Sequence, residues 1–278
     1  MKYRYYAAGR IKPGLLEQLD KNEIKYKIED DFVIINIVGP TEREGAIIKE
    51  ISNQPFSLGR QLILTVTCVF DKEELERAKL LTIRPKYQKF DYSSEDSALV
   101  EVCEGVQGNR HFLSEQVGNL KVWDLPSTKS KTHFWAEAYV ARRFLFTSRA
   151  VYDLIQSSDI KGAVFKNVIV RGGKYSENFY QLTSDTVIGR ECVEHGYGEK
   201  EFSCQVCGQK WYSLGNTVQL HLDFSKFELN KDIYITEAMF GCNSVAPLYI
   251  VSQKLYRLLN ENKLLKNVIV EPVFDESK

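Results

Sequence analysis

One stretch of this chain occurs twice. Residues 144–170 read FLFTSRAVYDLIQSSDIKGAVFKNVIV, and residues 248–270 read LYIVSQKLYRLLNENKLLKNVIV. Ser148 aligns with Ser252, Val151 with Leu255, Tyr152 with Tyr256 and Leu154 with Leu258. The closing KNVIV then aligns after a four-residue difference in the intervening loop. A loop-length change of that size costs little, because closure entropy grows slowly with length. Each copy has a mechanical reading. An apolar run makes a buried strand, and the serine then offers its oxygen to an orphan N–H at a helix start. Val151, Leu154 and Ile155, like Leu255, Leu258 and Leu259, fall on one helical face. The β-branched KNVIV returns as a strand. A chain built this way repeats a strand–helix–strand unit, which fixes architecture but carries no chemistry.

The remaining sequence fits the same α+β class: mixed sheets with short helices packed on them. Strands are expected at Tyr3–Ala7, around Tyr26, at Phe32–Val38 and at Leu62–Val66, with a short helix from Pro13 through Leu19. Asp71 and Glu74 have the spacing of a capping box, opening a second short helix that runs through Ala78. The Pro13 and Asp71 segments are candidate weaker relatives of the repeat. Two polar stretches, DYSSED (91–96) and the glycine-paired RGGKYSEN (171–178), read as boundaries. They divide the chain into an N-terminal domain, 1–92, a first repeat module, 93–173, and a second, 174–278.

Charge and cysteines narrow the function classes. Lysine plus arginine equals aspartate plus glutamate, at 37 each, and the last third is the acidic one. Nucleic-acid binding usually leaves a basic footprint, so a nucleic-acid partner is not expected. The longest apolar runs are too short to cross a bilayer, and MKYRYYAAGR lacks a signal-peptide pattern. The expectation is a cytoplasmic protein without membrane association. Its six cysteines should then be reduced, and their spacing is read for metal before disulfides. Cys68 and Cys103 lie in apolar, strand-like runs and read as buried small hydrophobes.

The other signal is Cys192-Val-Glu-His195, eight residues, then Cys204-Gln-Val-Cys207-Gly208. Two residues between ligands let a tight turn present both side chains to one ion, and the longer loop delivers the second pair. Three thiolates and an imidazole suit zinc, and four protein ligands leave no open position, so the expected role is structural. Gly208 can supply the positive φ such a turn needs. His221 is a possible substitute for His195. The polar, turn-rich flanks argue against a redox CxxC.

The segment Phe202–Phe227, FSCQVCGQKWYSLGNTVQLHLDFSKF, followed by Ala246–Val273, resembles bacterial double-CXXCG-motif proteins and a related group of polymorphic-toxin immunity proteins. Cys204, Cys207, Gly208 and Trp211 match the first element of that pattern. Ser252, Leu255, Leu258, Leu259 and Pro272 match the second, an apolar strand, serine, amphipathic helix and closing strand. The resemblance covers about residues 176–274 and not 1–92. The second CXXCG of the family is absent, so Cys192 and His195 would have to complete the site. The resemblance implies a protein that binds and neutralises a cognate antibacterial toxin. The alternative is a zinc-ribbon protein with a regulatory or nucleic-acid-binding role. No nucleotide-binding, metalloprotease or nucleophile-elbow motif is present, so no enzyme is expected. His133, near Arg142 and Arg143, reads as part of a half-buried strand beside a surface basic pair.

Overall fold

The computed structural model describes residues 2–11, 14–53, 63–85, 102–103, 111–112, 119–122, 132–136, 145–170, 172–194, 200–213, 220–240 and 246–277. The chain divides into two compact units. One takes in Met1–Glu74, and the other Leu75–Leu214 with Gln219–Lys278. The described part is α+β, rich in strands, with few and short helices.

The first unit runs β1 (Lys2–Arg10), α1 (Leu15–Lys21), β2 (Lys27–Glu29), β3 (Phe32–Val38), α2 (Glu42–Asn53) and β4 (Ile63–Val69). Its sheet has the order β2-β3-β1-β4, antiparallel throughout. Each helix therefore links two strands that have a third between them, giving two interlocked split β-α-β crossovers. Residues 42–53, which the strand pattern passes over, form α2 behind a complete capping box. Glu44 accepts from the Thr41 backbone N–H at 2.7 Å, and Thr41 Oγ1 accepts from the Glu44 N–H at 3.2 Å. Because side chains alternate along a strand, Ala7, Val33 and Ile35 enter one core with Leu15, Leu19, Ile48 and Ile51 from the helices. Among the described residues no helix packs on the opposite face of the sheet. There the register sets Arg4 across from Val38, Tyr6 from Asn36 and Arg10 from Phe32. Lys27 and Glu29 continue the face onto β2.

A third short helix, α3 (Lys72–Arg77), follows β4 behind the Asp71–Glu74 box. Each residue's N–H is bonded to the other's side chain, at 2.8 and 2.9 Å. β5 (Leu80–Pro85) then opens the second unit, so β4 and β5 lie in different sheets and the Asp71 segment is not a copy of the repeat. The unit continues with β6 (Val102–Cys103), β7 (His111–Phe112), β8 (Lys121–Val122), β9 (Phe134–Ala136), β10 (Leu145–Ser148), α4 (Arg149–Gln156), β11 (Ala163–Val170) and β12 (Tyr175–Ser184). After β13 (Val187–Ile188) come β14 (Val193–Glu194), β15 (Lys200–Ser203), β16 (Lys210–Ser213), β17 (Leu220–Leu222), β18 (Ile233–Phe240), β19 (Ala246–Ser252), α5 (Gln253–Glu261) and β20 (Val268–Asp275).

Both repeats form strand–helix–strand units, β10-α4-β11 and β19-α5-β20, with Ser148 and Ser252 at the helix starts in extended backbone. The duplication reaches further than the sequence match. Among the described residues one sheet has the order β8-β11-β12-β10-β9, and the other contains β17-β20-β5-β19-β18. The pairing senses correspond strand for strand: parallel at β8–β11 and at β17–β20, antiparallel elsewhere. The central strand differs in origin. The first copy uses β12, the next strand in the chain, while the second copy uses β5, which precedes both copies.

That pairing moves the expected boundaries. β5 is hydrogen-bonded on both sides, to β19 and β20, so residues 80–85 belong with the C-terminal unit and not with a 1–92 domain. The glycine pair at 172–173, expected to separate modules, instead turns β11 back onto β12. Both residues have positive φ, and the Gly173 N–H bonds the Val170 carbonyl at 3.0 Å. The DYSSED stretch and Pro13 lie outside the described residues.

The two copies also share one core. Val151 and Ile155 of α4 pack in the same cluster as Leu255, Tyr256 and Leu259 of α5, together with Leu81 and Ile83 of β5. Polar contacts tie each copy to the other. Lys161, just after α4, donates its N–H to Asp232 Oδ2 at 2.9 Å, and Asn267, just after α5, donates to Thr132 Oγ1 at 2.9 Å. The Tyr249 hydroxyl accepts from the Leu145 N–H at 3.3 Å.

Candidate functional site

The cysteine pair sits at the tip of a hairpin. β15 and β16 pair antiparallel, with Phe202 opposite Trp211 and Ser203 opposite Lys210. The tip closes on itself. Cys204 N–H donates to Gln209 carbonyl at 2.8 Å, and Gly208 N–H donates to Cys204 carbonyl at 2.9 Å. Gly208 takes a φ of +73°, the left-handed value that a side chain disfavours. The Val206 N–H is aimed at Cys204 Sγ, 3.4 Å away. Such a backbone donor stabilises negative charge on sulfur, which is the form that ligates a metal. Cys204 is buried with Trp211 and Met239, and Cys207 packs against them. Trp211 in turn stacks on Phe202 at 6.0 Å. The hairpin tip thus holds Cys204 and Cys207 in one turn.

Cys192 has a different setting. It ends a 3-10 turn, Arg190–Cys192, and is 1% exposed. Its Sγ donates to the Lys226 carbonyl at 3.9 Å and lies 4.0 Å from Glu191 Oε1. Burial pushes its thiol above the ordinary cysteine range, and the Glu191 carboxylate adds to that. A protonated thiol is the expected state in the absence of a cation. The turn lies beside the hairpin, since Arg190 reaches the Lys210 carbonyl at 3.5 Å. Among the described residues, however, no three or more His, Cys, Asp or Glu side chains form a group that could hold a metal. His195 lies outside the described residues. His221 is engaged elsewhere: Nδ1 is 2.6 Å from Glu276 Oε1, and its ring stacks on Phe274 at 5.0 Å. The described geometry therefore places Cys204 and Cys207 in one turn and does not gather the expected ligand set.

His133 also has a specific place. Its Nδ1 lies 3.0 Å from Ser148 Oγ, and partial burial lowers its pKa, which favours the neutral ring. A serine and a neutral histidine at this distance could form a nucleophile and base. The second copy argues for a simpler role. At the matching position Ser252 Oγ donates to Asp232 Oδ1 at 2.6 Å while accepting from the Leu255 N–H at 3.1 Å. The backbone bonds also match, from Ser148 N–H to His133 carbonyl at 3.0 Å and from Ser252 N–H to Asp232 carbonyl at 2.9 Å. The two pairs thus share a backbone bond, while only Ser252 also caps its helix with its side chain. Arg142 lies outside the described residues.

One surface was not picked out by sequence reading: the helix-free face of the first unit. Tyr6 and Phe32 are 40% and 44% exposed there, among exposed Lys2, Arg4, Arg10 and Lys27. Its signal was the alternation Lys2, Arg4, Tyr6 within KYRYYAAGR. No known family model matches the chain, and no curated protein matches it.

Proposed function

We propose that this chain is a cytoplasmic immunity protein that binds and neutralises a cognate antibacterial toxin, working by occlusion and not by catalysis. The observation that carries the reading is the juxtaposition of two elements in one unit. The Cys204–Gly208 turn leads through Trp211, and the strand, capping serine, amphipathic helix and closing strand follow as β19-α5-β20. These are the elements on which the resemblance to toxin-immunity proteins rests. Among the described residues no helix is long and apolar enough to cross a membrane.

Zinc belongs to the same reading. Cys204 and Cys207 are one proposed half of a tetrahedral site, a reading supported by their place in one turn and by the N–H directed at the Cys204 sulfur. Cys192 and His195 are the proposed other half. A closed site of this kind supplies folding energy to its loop and no reactivity. Freshly purified, never-chelated protein is expected to hold about one zinc per chain, and Cys207→Ser to lose it along with the Trp211 fluorescence of the folded hairpin. Metal-free protein with an intact hairpin would falsify the zinc reading.

The functional test is co-expression with the product of the adjacent gene. A toxin encoded there should be silenced, and the two proteins should elute together. The buried interface is expected to be of the standard size, roughly 1,600 Å² in total. Growth rescue without a complex would point to chemistry on the toxin's product and overturn the binding reading.

A further inference from the structure

We propose that the helix-free face of the N-terminal sheet binds single-stranded nucleic acid. The balanced charge of the whole chain conceals a segregation within the first unit. The helices that cover the other side of the sheet are net acidic, with Glu17, Asp20 and Lys21 on α1 and Glu42, Arg43, Glu44, Lys49 and Glu50 on α2. The open side presents Lys2, Arg4 and Arg10 along β1 and Lys27 on β2, all exposed. The acids at its edge are Glu29, opposite Phe32, and Asp30 and Asp31 in the β2–β3 turn.

Two rings stand in this basic field, Tyr6 on β1 and Phe32 on β3, the two central strands of the sheet. Phe32 is opposite Arg10, four residues along β1 from Tyr6. At about 3.3 Å per residue and about 4.8 Å between strands, the backbone positions that carry the rings are roughly 14 Å apart. That is too far for neighbouring stacked bases, so each ring would take a separate base of one strand. Arg4 flanks Tyr6 and Arg10 lies across from Phe32, where guanidinium groups can meet the adjoining phosphates.

Chemistry selects the occupant. Aromatic faces offered flat on a sheet stack on unpaired bases, and cations between them follow the phosphate chain. A duplex hides its base faces, and this surface has no helix or ribbon to enter a groove. Between the two rings lie Ala8, Ile34 and Asn36, and the cations stand towards the two ends of β1 and on β2. The proposal does not rest on the immunity reading or on zinc, which concern the second unit.

The test uses the full chain and labelled oligonucleotides of about 12 nucleotides, a usual footprint for such a surface. RNA and DNA single strands are compared with the matching duplex by fluorescence anisotropy. Single strands of one or both kinds should bind in preference to the duplex. With four cations on phosphates, log K should fall with log[salt] with a slope of about 3. Tyr6→Ala and Phe32→Ala should each weaken binding about tenfold, and Arg4→Ala should weaken it and flatten the salt slope. All three residues are exposed, so an unchanged thermal transition separates lost binding from lost folding. Lys21→Ala, a cation on α1 away from this face, should leave affinity unchanged. Absence of single-strand binding overturns the proposal, as does a loss at Lys21→Ala equal to that at Arg4→Ala. A protein partner that needs Tyr6 and Phe32, with no oligonucleotide bound, also overturns it and gives the face to protein docking.

Discussion

Gly162 has a φ of +89°, and a Cβ built there would stand 2.8 Å from the Ile233 carbonyl oxygen, a backbone atom with little freedom to yield. Strain and collision act together, so Gly162→Ala should cost about 2–3 kcal/mol. Gly172, at +92° with nothing within 4 Å, isolates the strain alone, and Gly172→Ala should cost about 1 kcal/mol. Equal shifts in the two denaturation midpoints would show that the Ile233 contact contributes nothing. Glu271 gives a second test at this scale. It is 6% exposed and paired with Arg84 at 2.6 Å. Burial holds its carboxyl above the usual glutamate range, and Arg84 draws it only part of the way back. With the folded pKa raised, the stabilising proton is fully present below the unfolded glutamate pKa and is lost as pH rises through the folded value. Urea midpoints of the native protein should therefore carry a decline across that window that Glu271→Gln lacks. Arg84→Met should destabilise by about 3–5 kcal/mol at neutral pH and by less in acid. What was legible among residues was what lies close in the chain. Cys204, Cys207 and Gly208 form one turn, so their spacing determines their meeting. Whether Cys192 joins them depends on how distant strands pair, and the turn holding it is set by contacts to Lys226, Glu237 and Lys210.

The elements divide on similar lines. Caps are local, and the sequence signals at Asp71, Ser148 and Ser252 stand at helix starts in the structure. The two serines nevertheless differ. Ser252 accepts the Leu255 N–H, while Ser148 makes no side-chain cap bond and faces His133 instead. Ser252→Ala should cost about 1 kcal/mol or more, and Ser148→Ala less, as read from paired thermal melts. A reversed order would mean that the His133 contact outweighs a helix cap. α2 starts behind an equally local signal, the capping box of Thr41 with Glu44. The turn at Gly172 and Gly173 shows the opposite error. Paired glycines mark a change of direction, and only the pairing of β11 with β12 decides whether that change is a hairpin or a boundary.

At the scale of the molecule, the repeat made the two β-α-β units visible but not what fills the space between their strands. In each unit the two strands flank a third, and a split crossover is incomplete until that strand is supplied. The first copy obtains it from the next segment of chain, β12. The second takes β5, whose Leu81 and Ile83 enter the core shared by α4 and α5. Nothing in the spacing of β5 announces a partner nearly 170 residues away. The consequence can be tested by truncation. A chain beginning at Leu75 keeps β5 and should unfold in one cooperative transition. A chain beginning at residue 93, the boundary that composition suggested, lacks the strand and exposes the facing edges of β19 and β20. Losing the two large aliphatic side chains of Leu81 and Ile83 alone would remove about 4–10 kcal/mol, comparable with the whole stability of a domain. That shorter chain should be aggregated or molten, with no sharp near-ultraviolet spectrum. Adding a peptide of residues 78–88 in trans should restore it in part if the missing strand is the cause. Full folding of the 93–278 chain by itself would show that β5 only covers a sheet that stands without it.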